Sequence, residues 1–334
     1  MPQITIAQLQ MTMTNIAAVA SLVSFWAFVL GGASKWKAKI YKFAEILIII
    51  GFICLSLSIV LRGFEANRFP LANLYESTLW FSWAILGGYI ALARRLEQNQ
   101  LGWLASLTAT MFFLYGSWLP GNQQTITPLV PALVSYWRQI HVPPVIISYA
   151  LFCLSGLASL LELWYAGRLR SLIIASITII AAISAICLGT YTSIDTAWLQ
   201  LLFVGSSIVG IFIAWKNLGK IAVNKVNGEK AAIYDEMSWK AISIALPLLT
   251  FGVITGGLWA NHAWGTYWSW DPKESMALVT WLSYAAYIHL RIHHELAAEK
   301  LSLVSIIGLI LTLLTYLGFN SLGFGGLHSY GRFK

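Results

Sequence analysis

The chain has 334 residues, 58% of them hydrophobic and only 10% charged, with a formal net charge of +8. Soluble domains carry charge on about 25% of their residues, so this composition excludes an ordinary soluble fold and reads as an integral membrane protein. The basic residues cluster in short loops between apolar runs, the pattern that sets membrane topology, and nucleic acid is not expected as a partner.

About 20 apolar residues are needed to cross a bilayer core. Ten stretches qualify: residues 14–32, 41–61, 71–93, 101–119, 143–166, 171–190, 198–215, 239–260, 275–293 and 301–320. The expected fold is an all-α polytopic membrane protein of about 8–10 transmembrane helices, a single integral domain over residues 1–334 with an outward-facing tryptophan-rich loop. No charge precedes Lys35, so the start lacks the basic leader of a cleaved signal peptide and the first helix is expected to stay. Cys54, Cys153 and Cys187 lie in apolar runs and no C-x-x-C-H segment occurs. The cysteines read as packing residues, and the chain is not itself a c-type cytochrome.

Assigning the loops alternately to two sides puts fifteen basic residues, from Lys35 to Lys300, on one side. The other side holds six: Arg62, Arg68, Arg138, Lys273, Arg332 and Lys334. The richer side is inner by the positive-inside rule, which leaves both termini outside. Three uneven outer loops follow, at 62–70, at 120–144 and around the tryptophans, joined by the tail after 320. The prolines of the second loop predict irregular chain with a short helix near 130–139, ending before His141. Residues 171–215 read as an inserted apolar hairpin, which accounts for ten spans against eight. Residues 216–240 read as an inner loop turning at Asn227-Gly228.

The densest signal is residues 259–275. Four of the sixteen tryptophans, with Tyr267, fall between Trp259 and Trp270, where even spacing would place fewer than one. An interfacial aromatic belt would spread such residues over every helix end; a run confined to one loop suits a platform for a large, flat, apolar ligand. Asp271-Pro272-Lys273-Glu274 starts a helix, with an N-cap acid, proline at the first position and a carboxylate at the third. Asp271 and Glu274 therefore read as caps rather than acid–base catalysts.

Trp264-Gly265-x-x-Trp268-x-Trp270-Asp271-Pro272-Lys273-Glu274 resembles the WWD signature of the haem-handling proteins of cytochrome c maturation, and most nearly the cyanobacterial and plastid CcsA family of system II. Phe69-Pro70-x-x-Asn73-Leu74-Tyr75-Glu76-Ser77, His141-Val142, Tyr287-x-His289-x-Arg291 and the glycine-rich 323–331 around His328 match as well. The core of the resemblance covers about 69–166 and 238–331. Two positions depart from the family pattern: His262 stands where an acidic residue is usual, and Met276 where a further tryptophan is usual, which makes the platform one ring smaller.

The resemblance implies a subunit of a cytochrome c haem lyase or synthase that handles haem b as its substrate. Its partners would be a CcsB-type membrane subunit and an apocytochrome c with a C-x-x-C-H segment. The implied haem-binding set is His141, His328, His289, Trp264, Trp268, Trp270 and Asp271, with the three histidines as axial iron ligands. His141 and His328 would form the outer pair. His289 lies about 21 Å along its helix from Ser275 at 1.5 Å per residue, inside the membrane, where an ionisable residue is a functional candidate; its second ligand would come from the partner subunit. Arg138 and Lys273 are candidate propionate partners by charge alone. His293 and His294 read as interfacial, and His262 as either supporting the platform or solvated. No catalytic acid or base is assigned, since positioning would supply the rate. The expected location is a cyanobacterial or plastid thylakoid membrane, with the tryptophan loop lumenal. Three rivals stand beside this reading: a haem exporter or chaperone, a membrane b-type electron carrier, and a small-solute transporter.

Overall fold

The computed structural model describes residues 5–32, 34–92, 99–119, 121–168, 176, 227–294 and 296–318. Every regular element among them is helical: α1 (Ile6–Gly31), α2 (Lys37–Ala66), α3 (Leu74–Leu92), α4 (Asn99–Trp118), the single turn α5 (Gly121–Gln124), α6 (Trp137–Tyr165), α7 (Gly228–Trp264), α8 (Pro272–His293) and α9 (Ala298–Leu313). A 3₁₀ turn spans Pro131–Leu133, and α9 continues into a π-helical turn at Leu314–Gly318. The expected polytopic all-α membrane fold is observed. Five helices are long and apolar enough to cross a membrane by length and composition: α1, α2, α6, α7 and α9 with its π turn. α3, α4 and α8, with 19, 20 and 22 residues, also coincide with expected spans. The hairpin at 171–215 and the tail with His328 lie outside the described residues.

Burial sorts the helices into centre and rim. In the most apolar stretch of α6, 78% of residues are buried inside the protein, against 39% for α1 and 33% for α2. α6 packs on α3, α4, α7 and α9, while α1 and α2 pair with each other and turn Val19, Val23, Ile53, Leu57 and Val60 outward. An apolar rim needs lipid or another apolar surface around it, so α6 is the axis of the bundle and α1–α2 an outward-facing flank. Small polar side chains let the central helices approach closely: the Ser155 hydroxyl meets those of Ser238 at 2.9 Å and Ser305 at 2.7 Å, joining α6, α7 and α9.

Two sequence expectations need correction. The helix expected to stop before His141 instead begins at Trp137 and runs through His141, Pro143 and Pro144 to Tyr165. Each proline removes one backbone donor, but the face from Ile146 to Leu163 is buried almost throughout, and that burial outweighs the local penalty. Residues 228–240, expected as inner loop, are the first turns of α7, opened by the Asn227 side chain accepting from the Lys230 N–H. At 37 residues α7 is about 55 Å long, longer than a bilayer core is thick.

Ion pairs tie the helix ends. At the end remote from the tryptophan loop, Arg291 on α8 grips Asp235 on α7 through two bonds of 2.7 and 2.8 Å, with its guanidinium 5.2 Å from the Trp239 ring. At the tryptophan end, the wholly buried Glu76 accepts from Arg62 Nε and Arg68 Nη1, each at 3.1 Å, and from the backbone N–H of Ala72. Arg62 also donates to the Gln124 carbonyl at 2.7 Å. Glu76 on α3 thereby ties α2 to the 67–73 segment, and Arg62 extends the tie to the end of α5.

Candidate functional site

A cleft of about 290 Å³ opens at the tryptophan end, among α6, α7, α8, the 71–74 segment and the π turn. Its walls include His141, Arg138, Tyr149, Gly256, Trp259, Tyr267, Trp268, Lys273, Thr315 and Tyr316. Of the loops that parity groups together, 120–144 contributes Leu133, Arg138 and His141 to the lining and the tryptophan loop contributes Trp259, Tyr267 and Trp268; 62–70 contributes none, its place being taken by 71–74, and the tail after 320 lies outside the described residues.

His141 is held tightly. Its Nδ1 lies 2.7 Å from the carbonyl oxygen of Gly252. A carbonyl can only accept, so this contact is a hydrogen bond only if Nδ1 carries the proton, and the neutral ring then has its lone pair on Nε2. This is the arrangement in which a backbone carbonyl fixes tautomer and orientation of a metal-binding imidazole. The ring fits because α7 has glycine opposite it: a Cβ at Gly256 would stand 2.7 Å from His141 Cε1 and 2.8 Å from Nδ1. The Trp259 ring lies 5.7 Å from the imidazole at 50°, and its Nε1 donates to the Ala132 carbonyl at 3.0 Å, fastening the 3₁₀ turn over the site.

The loop between α7 and α8 is built by its caps. α7 ends at Trp264, with Gly265 in the left-handed region at φ 81° and its N–H bonded to the Asn261 carbonyl. α8 starts with the expected capping box: Asp271 Oδ1 accepts from the Lys273 N–H at 2.9 Å, and Glu274 reaches back to the Asp271 N–H at 3.2 Å. Glu274 also accepts from the backbone and hydroxyl of Ser269. Between the caps, Trp270 is forced to φ 57°, a region that side chains disfavour.

The sequence-predicted residues divide accordingly. His141 and Trp268 line the cleft. Trp264 stands behind it, 6.3 Å from the Trp259 ring, while Trp270 is 70% exposed and touches Trp268 edge-on at 5.8 Å. Asp271 is a helix cap. His289 lies near the remote end of α8, exposed, with the rings of His293 and His294 at 4.8 and 5.3 Å. His262 is exposed as well. Tyr149 and Tyr316 went unnoticed in sequence because an aromatic in an apolar helix looks like ordinary core. Gly256-Gly257 left a legible trace, a glycine pair in a helix interior where no turn is needed.

The cleft is electropositive as well as aromatic. Arg138, in the first turn of α6, is 2% exposed. Lys273, placed ahead of the apolar stretch of α8, has its ammonium lowered to about 8 by burial, with the Asp271 carboxylate opposing the shift. Apolar rings, one oriented imidazole and two cations suit a flat apolar ligand with a metal centre and acidic substituents.

Comparison with known proteins places this architecture. A family model described as "Cytochrome C assembly protein" matches residues 71–327. The chain is 34% identical over 325 residues to "Cytochrome c biogenesis protein CcsA" of Pyropia yezoensis, covering 97% of this chain and 98% of that one. It is 32% identical over 312 residues to the protein of the same name from Prochlorococcus marinus (strain MIT 9303), covering 93% and 89%. Among solved structures, "Cytochrome c Heme Lyase CcmF" shares the fold with a TM-score of 0.58 at 13% identity. The alignment takes in 97% of this chain but only 51% of that one, so this chain spans about half its length.

Proposed function

The chain belongs to the cytochrome c assembly protein family and acts in cytochrome c maturation; from that premise we propose that its cleft receives haem b as substrate and holds it for covalent attachment to an apocytochrome c. The observation that carries this reading is His141, lining an aromatic cleft with its Nδ1 proton directed to the Gly252 carbonyl. That geometry puts the iron-binding lone pair on Nε2 and holds the ring against α7.

In the proposed reaction His141 is one axial ligand and His328, on the outer tail, the other. Trp259, Trp268 and Tyr267 bury the porphyrin face, and Trp264 backs Trp259. Trp270 and Asp271 act indirectly, Asp271 by fixing the loop and Trp270 from its outer edge. The two cysteine thiols of an apocytochrome C-x-x-C-H segment add across the vinyl groups. Each addition forms one C–S and one C–H bond from S–H and C=C, with no net electron transfer, so the thiols must arrive reduced. The protein supplies position and exclusion of water. Haem would enter from the inner side by way of His289, whose exposure supports a second ligand from a CcsB-type partner. The tryptophan loop would then face the thylakoid lumen.

The test is co-expression with a CcsB-type subunit and an apocytochrome, reading haem per protein and holocytochrome yield. His141→Gly should lower the yield at least tenfold, and free imidazole should partly restore it by occupying the vacated iron position. Normal yield from His141→Gly would overturn the reading. Haem bound by the protein with none attached to the apocytochrome would make it a haem carrier instead.

A further inference from the structure

Arg138 differs from the other buried or half-buried arginines. Arg62 and Arg68 share Glu76, and Arg291 has Asp235. Arg138 makes no ion pair among the described residues, and its Nε and Nη1 are buried without a hydrogen-bond partner. Glu76 is already shared by Arg62 and Arg68. A guanidinium cannot escape by losing its proton, and unmatched burial of a charge is expensive. The group lines the cleft three residues before His141, one turn back on the same helix, and Lys273 lines it from α8. Glu274, the carboxylate in the lining, is occupied by the capping box and Ser269.

We propose that Arg138 is the carboxylate anchor of the cleft, donating from its buried N–H groups to an acidic substituent of the ligand. The proposal rests on the reading that the cleft holds haem, in which case the acid is a propionate. A propionate held at the buried wall leaves the opposite edge of the macrocycle, which carries the vinyl groups, facing the exposed tryptophan loop. Arg138 thus decides which way round the ring enters.

The experiment uses the full chain in lipid nanodiscs, with iron-free protoporphyrin and its dimethyl ester as probes. Binding is followed by quenching of tryptophan fluorescence against empty nanodiscs. The wild type should bind the free acid at least tenfold more tightly than the ester. Arg138→Gln should bring that ratio near one by weakening the free acid alone, and Arg138→Lys should retain part of it. Equal binding of the two probes by the wild type, or a preference that survives Arg138→Gln, overturns the anchor and leaves the haem reading standing. If neither probe binds the wild type, the anchor is overturned, because an acid held by Arg138 needs no iron; the haem reading is decided instead by haem per protein in the co-expression test. Should Arg138→Gln fail to purify, a wild-type ratio near one is still sufficient to overturn the anchor.

Discussion

His141 Nδ1 and the carbonyl oxygen of Gly252 lie 2.7 Å apart across 111 positions of sequence. The contact ties the first turns of α6 to the upper part of α7, and it sets the orientation of the imidazole before any ligand arrives. It depends on the missing side chain at Gly256.

Gly256→Ala should therefore displace the imidazole, because the new methyl would sit within 2.8 Å of two ring atoms. Overpacking of this kind costs about 1–3 kcal/mol. Holocytochrome yield should fall several-fold at normal protein level. At the adjacent Gly257 a Cβ would meet only the Tyr267 carbonyl, at 3.2 Å, and Gly257→Ala should be milder. Equal yields from both variants would mean that the ring's placement does not matter.

Trp268 and Trp270 should separate. Trp268→Ala opens a cleft wall and should reduce bound haem, whereas Trp270 is 70% exposed and its replacement should change haem content little. Trp270→Gly should moreover raise thermal stability, since a non-glycine residue at φ 57° carries about 1 kcal/mol of strain. A larger haem loss from Trp270→Ala than from Trp268→Ala would contradict the lining.

Asp271→Ala should destabilise by about 1 kcal/mol, the usual worth of an N-cap, and lower the melting temperature of the detergent-solubilised protein. Asp271→Asn should be nearly silent, because asparagine also accepts from the Lys273 N–H. A yield loss in Asp271→Asn matching that of Asp271→Ala would point to a role for the negative charge beyond capping.

Breaking the Arg291–Asp235 pair leaves a charge without its partner at the remote end of the bundle. Arg291→Gln should cost about 1–3 kcal/mol, and the double variant with Asp235→Asn should recover part of it. Strict additivity in that cycle, read by thermal unfolding, would show the pair to be energetically idle.

His289→Gly tests the opposite end. Its effect should be a loss of total bound haem in the complex with the partner subunit. His141→Gly should instead affect attachment, and imidazole should rescue it more readily because its cleft opens at the tryptophan end of the bundle. Unchanged haem and yield in both variants would remove the histidines from the reaction.

The sequence determined the fold class, the eight long helices of the described region and the capped start of α8, because hydropathy and capping are local or nearly local. The fold of Asp271-Pro272-Lys273-Glu274 was readable for that reason: a proline and two carboxylates act within one helical turn. Parity of spans also brought His141 and the tryptophans to one end. Only the tertiary structure decided which rings line the cleft, since Trp264, Trp268 and Trp270 differ less in sequence than in the direction that Gly265 and the capping box impose on them. The passage of α6 through Pro143-Pro144 and the tautomer of His141 likewise depend on α7, whose burial against α6 outweighs local propensity and whose Gly252 carbonyl no sequence pattern marks. Arg138 and its unpaired buried nitrogens were legible as charge but not as burial, because burial belongs to the packed bundle and not to the residue.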